Sequence, residues 1–159
     1  MQSDIPIETI GTGAIALRIG MAAILGMIVG FERKYAEKPA GARTMALIAA
    51  GAASFTLMGQ VLAEQVTPNA GMQLDPTRIV SYIISGVGFL GAGAILHSKR
   101  GISGLTTASA IWASAGIGAA SGLGLYRIAG ALFIVVFCAL WLPWIGYWTG
   151  SDEFEPEED

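Results

Sequence analysis

The chain has 159 residues, of which 53% are apolar and 13% charged, a length that fits one domain. Its net charge of −3 is a local feature: six of the twelve acids are Asp152, Glu153, Glu155, Glu157, Glu158 and Asp159, so the acidity describes a tail and says nothing about nucleic acid. The single cysteine, Cys138, excludes an intrachain disulfide and a thiolate metal cluster.

Upstream of that tail lie five apolar blocks, 14–31, 44–63, 79–96, 102–125 and 128–148. Each is long enough to cross about 30 Å of hydrocarbon at about 1.5 Å per helical residue. The expected fold is an all-α membrane protein of five transmembrane helices. It comprises an extracytoplasmic arm at 1–13, a transmembrane domain at 14–148 and a disordered acidic cytoplasmic tail at 149–159. A cleaved leader is the alternative for the first block, but Asp4 and Glu8 stand where a leader carries basic groups.

Block one carries a cation, Arg18, on one helical line with Ala14, Ala22, Gly26 and Gly30. Small residues at that spacing let helices approach closely. Arg18 therefore faces protein, where it needs a partner, or snorkels to the nearby interface. The connection 32–43 holds four of the nine basic residues, and Lys99 and Arg100 make a second basic loop. The positive-inside rule puts both loops in the cytoplasm, with the N-terminus outside and the C-terminus inside. Trp141, Trp144, Tyr147 and Trp148 then form an aromatic belt at the cytoplasmic end of the last helix.

Block two offers Ala46, Ala50 and Ser54 on one line, with Ala49 and Ala53 beside it, and 64–74 reads as a loop marked by Pro68, Asn69 and Gly71. Asp75 before Pro76 is a helix start signal, because a carboxylate takes orphan N–H groups and proline has none to lose. Block three contains Ser85, Gly86, Gly88, Gly91 and Gly93, expected as the central seam of the core, facing helices one and four. Block four aligns Thr106, Ala110, Ser114, Gly118 and Gly122 at i+4 spacing, with Thr107 beside them. Its hydroxyls are expected to bond across helices. Block five is bulky on every side from Leu132 to Phe137, which places it outside a tightly packed core of four.

Five segments, Gly30 to Arg33, Lys38 to Thr44, Asp75 to Ile79, Ser85 to Gly93 and Gly104 to Ala108, together resemble in order the successive motifs of the MgtC/SapB membrane protein family. One such motif is weak, but five in register are specific, and the resemblance covers roughly 14–140. It implies a bacterial inner-membrane protein of magnesium homeostasis and stress adaptation, acting either in ion transport or in regulation of other membrane proteins. Thr106 and Ala113 stand where virulence-associated members tend to have Asn and Cys, and only an acidic tail follows the helices. The short SapB-like branch is therefore expected.

Charged groups at membrane depth or at helix mouths are the functional candidates: Arg18, Glu32, Arg43, Asp75, Arg78 and Arg100. The topology gathers Arg18, Asp75 and Arg78 outside and the other three inside, so Arg18 is expected to pair with Asp75, and Glu32 with Arg43 or Arg100. No Walker loop, paired metal-ligand motif or nucleophile with a partner occurs, and the glycines of 86–91 match a dinucleotide fingerprint only in spacing, inside a span. The reading is a non-enzymatic modulator of another membrane protein, embedded in the bilayer, without cofactor or metal site. The alternative is a transporter or channel for magnesium or another small solute, with magnesium as a weakly bound or transported ion. A homodimer through the Gly118 and Gly122 face or the Gly26 and Gly30 face is the expected assembly.

Overall fold

A computed structural model describes residues 10–70, 76–98 and 101–149, without the side chains of 64–70, 76, 98 and 143–149. Five helices form in the five apolar blocks: α1 (Thr12–Tyr35), α2 (Ala42–Ala70), α3 (Pro76–Gly93), α4 (Leu105–Gly122) and α5 (Tyr126–Thr149). Between α3 and α4 lies a small antiparallel hairpin, β1 (Leu96–Ser98) and β2 (Gly101–Ser103), in register Leu96 to Ser103, His97 to Ile102 and Ser98 to Gly101. This hairpin departs from the all-α expectation. It shortens blocks three and four, because the chain leaves α3 through a turn in which Ala94 N–H donates to the Gly91 carbonyl at 3.0 Å. The expected loop 64–74 is also shorter, since α2 continues to Ala70. Ala63, Glu64 and Gln65 are good helix formers and extend the helix past its apolar block.

Local hydrogen bonding explains where the helices stop. At the end of α1 the Lys38 N–H reaches the Arg33 carbonyl at 2.9 Å and the Glu37 N–H reaches Lys34 at 3.2 Å, with Glu37 at φ 55°. This is a Schellman closure with an unusual non-glycine residue in the left-handed position. The same closure ends α4, where Gly124 takes φ 75° and the Leu125 N–H donates to Ala120 at 2.9 Å. Gly104, at φ 85°, opens α4, and a side chain there would collide with the Ala94 carbonyl.

The core is built on α1, α2 and α4. The three helices pack on one another, and α2 meets both of its partners through glycine. A Cβ added at Gly26 would stand 2.6 Å from the Met45 carbonyl, and one at Gly30 would stand 2.6 Å from the Ala42 Cα. On the other side, a Cβ at Gly118 would strike the Ala49 carbonyl, and one at Gly122 would stand 2.5 Å from that of Ala53. The facing stripe on α2 is Met45, Ala49 and Ala53, buried completely, rather than the line of Ala50 and Ser54. These contacts run α1 antiparallel to α2 and α4 parallel to α2. Both glycine faces expected to join two copies are thus occupied within one chain.

Large apolar side chains sit outside. Ile24, Leu47, Phe55, Phe89, Trp112 and Ile134 are all exposed, while the interior is mostly alanine, glycine and serine with Val29, Met45 and Ile117 among them. A soluble protein puts its bulky groups inside because water drives them there; between membrane helices that drive is absent and close backbone packing replaces it. By length and apolar content, α1 and the 42–63 part of α2 each qualify as membrane spans.

Helix α3 corrects the expectation for the glycine-dense stretch. Gly86, Gly88 and Gly93 have no neighbouring atom within 4 Å of an added Cβ, Ser85 is exposed, and Gly91 makes an ordinary 3.5 Å approach to the Ala108 carbonyl. The helix packs on α4 and α2, so the seam of the core is not here. Small residues allow close approach without compelling it, and α2 can be clamped on two sides only. Helix α5 is peripheral as expected, with Ala129 and Leu140 turned inward.

Gly118→Ala should lower stability by about 1–3 kcal/mol in a detergent melt, through overpacking against the α2 backbone. Gly88→Ala should stay within about 0.5 kcal/mol of the parent.

Candidate functional site: charged groups at both ends of the core

Arg18 projects from α1 into the far end of the core. Its Nη1 donates to Gln60 Oε1 of α2 at 3.1 Å and to the Gly122 carbonyl of α4 at 3.0 Å. That carbonyl belongs to the last turn of α4 and is not used by the Schellman closure, so the guanidinium caps the negative end of the α4 dipole. The side chain also lies over the turn, since a Cβ on Gly124 would stand 3.1 Å from Nη2. Arg18 is thus held by protein, between the side of α2 and the end of α4. Its Nε is buried without a hydrogen-bond partner among the described residues. Asp75, the expected partner, lies outside the described residues.

At the opposite end Glu32 and Arg33 form a two-pronged ion pair. Arg33 Nη2 donates to Glu32 Oε1 at 2.7 Å and Arg33 Nε donates to Oε2. Side-chain exposure is 7% for Arg33 and 3% for Glu32, so both charges are out of water. The pair is buried because Gly30 lets the α2 start, Gly41 and Ala42, lie directly on α1. Of the two expected partners, Arg43 is exposed and Arg100 lies outside the described residues. Arg78 is exposed as well. Adjacent helix residues do not normally face each other, so a pattern search at i+3 and i+4 passes over Glu32 with Arg33.

Among the hydroxyls, Ser114 is fully buried and donates across to Met45 Sδ of α2 at 3.6 Å. Ser81, expected to bond across helices, instead turns back to the carbonyl four residues earlier at 2.9 Å, as Thr56 and Ser121 do at 2.7 and 2.8 Å. Thr106 is exposed and Thr107 buried. His97 is exposed on β1. Among the described residues no three His, Cys, Asp or Glu side chains come together. Gln60 was also missed in the sequence, although it is the single amide of block two.

A mainly helical chain with most of its bulky residues outside and its charges paired or capped inside belongs to the class of helical membrane proteins. More narrowly, the pattern of the MgtC family matches residues 19–144, and the chain belongs to that family. It is 38% identical over 91% of its length to protein SapB of Bacillus subtilis, spanning 63% of that protein. To protein MgtC of Salmonella typhimurium it is 42% identical over 77% of its length, and to the putative magnesium transporter YhiD of Escherichia coli 40% over 74%. The chain spans about half the length of these last two, 49% and 54%. No solved structure matches.

Removing one member of the buried pair strands the other. Glu32→Ala should cost about 3–5 kcal/mol in a denaturation titration, whereas Glu32→Leu combined with Arg33→Leu should recover most of that loss. Arg18→Met and Gln60→Leu should show a coupling of about 1–2 kcal/mol in a double-mutant cycle, because they share one hydrogen bond to a charged group.

Proposed function

We propose that the chain crosses the bacterial inner membrane five times and acts in magnesium homeostasis as a non-enzymatic modulator of another membrane protein. The observation that carries this reading is the closed core. Between Arg18 and Glu32 the interior is filled by Ala22, Gly26, Ala49, Ala53, Ser114 and Gly118 in backbone contact. Transport of a hard cation calls for oxygen ligands along a path, and magnesium in particular favours carboxylates together with retained waters. Of the described carboxylates, Glu32 is engaged by Arg33 and Glu37 is exposed on the α1–α2 connection.

The alternating helix directions support five crossings, with Arg18 on one side and Arg33, Lys34, Lys38 and Arg43 on the other. The positive-inside rule makes the second side cytoplasmic. Gly86 and Gly88 leave bare backbone on two different sides of α3, where a helix of another membrane protein has room to approach closely, and this supports the modulator reading. Magnesium enters the reading through YhiD, whose name as a putative magnesium transporter ties a relative of this chain to that ion.

Proteoliposomes containing this chain alone should show no saturable magnesium uptake above empty vesicles, measured with an entrapped magnesium indicator. Saturable uptake would establish the transporter reading in its place.

A further inference from the structure

A hollow of about 390 Å³ lies at the basic end of the molecule, separate from the Arg18 site and the glycine contacts. It is enclosed by the end of α1, the connection at Lys38 and Pro39, the hairpin, and the first turn of α4. Two stretches far apart in sequence, 33–39 and 94–107, therefore meet at one place.

Its walls are rich in hydrogen-bond donors. Leu105, Thr106 and Thr107 open α4, and the first N–H groups of a helix have no intrahelical acceptor. The residue before them is Gly104, which has no side chain to cap them. Arg33, 5% exposed, and Lys38 also line the hollow. The independent observation is Thr107. It is 1% exposed and lines the hollow, and its hydroxyl forms no hydrogen bond among the described residues. Ser109 and Ser121 on the same helix satisfy theirs on carbonyls four residues earlier, at 3.0 and 2.8 Å. Thr107 cannot do so, because the residue four before it is Ser103 in strand β2. Among the described residues Arg18 Nε is the side-chain polar atom fully buried without a partner, so the Thr107 hydroxyl is instead open to the hollow, where a ligand or water can satisfy it.

We propose that this hollow binds a phosphate group. The positive end of the α4 dipole, its free N–H groups and the Thr107 hydroxyl converge on one acceptor-rich centre, and Arg33 and Lys38 supply positive charge beside it. Arg33 keeps its bond to Glu32, so it contributes field rather than a full free cation. Glu37, exposed at the rim, disfavours a second negative charge further out. The phosphate is carried either by a lipid headgroup of the cytoplasmic leaflet or by a soluble ion or ester. This site stands apart from the modulator reading and does not depend on it.

The test uses the full chain purified in a sugar-based detergent without added phospholipid, titrated calorimetrically with inorganic phosphate and, separately, with short-chain phosphatidylglycerol. Saturable binding of at least one probe is expected, weakened about tenfold by Thr107→Val, which keeps the shape and removes the donor. Ser103→Leu, which fills the hollow, should abolish it, and Ser109→Ala, outside the hollow, should leave it unchanged. Binding of phosphate alone assigns a soluble source, and binding of phosphatidylglycerol alone assigns the headgroup. Uptake of neither probe by the parent protein overturns the proposal, as does parent-like binding by Ser103→Leu, which decides the matter should Thr107→Val fail to fold.

Discussion

The structure depends on one constraint: α2 must present bare backbone to two helices at once. Its carbonyls at Met45, Ala49 and Ala53 lie where Gly26, Gly118 and Gly122 have no side chain, and nothing larger than hydrogen fits at those points. In a lipid solvent there is little to gain by burying leucine between helices, so dispersion between closely approaching backbones has to hold the core. The same constraint sends the large residues outward and gives the chain its inverted distribution of size.

Close packing of three helices also determines how the charges are handled. Helix α1 is antiparallel to both partners, so its early residue Arg18 meets the late residues Gln60 and Gly122, and its late residues meet the starts of α2 and α4. Arg18 is stabilised by a carbonyl end and a neutral amide, with no carboxylate among the described residues reaching it. Glu32 and Arg33 neutralise each other in a layer that Gly30 allows Gly41 and Ala42 to cover. Both arrangements keep ions from standing alone in a low-dielectric interior, the first through a dipole and the second through a full counter-charge.

What remains outside the three-helix core carries the surfaces on which the functional reading rests. Helix α3 leans on α4 and α2 with Gly86, Gly88 and Gly93 facing no other part of the chain. The hairpin after it returns the chain to Gly104, whose left-handed backbone fits against Ala94 and starts α4 beside the α1–α2 connection. That return is what brings Lys38, Ser103 and Thr107 to one hollow.

The sequence by itself determined the helical class, the five blocks, the family, the small-residue ridges of α1 and α4, and the peripheral place of α5. Each follows from composition or from a repeat along one helix, and such patterns are local. Which ridge meets which was decided only by the tertiary structure: the densest glycine stretch lies outside the core, while the sparser pairs at Gly26, Gly30, Gly118 and Gly122 make it. A glycine permits contact without naming its partner. The partners of Arg18 and Glu32 were equally hidden, since one bonds to a backbone carbonyl that every residue possesses and the other to a sequence neighbour that an ideal helix would turn away. Thr106 and Thr107 differ from Ser109 and Ser121 because the residues four before them lie in strand β2, and Thr107 of these two is the buried one, which depends on where the chain turns back in three dimensions.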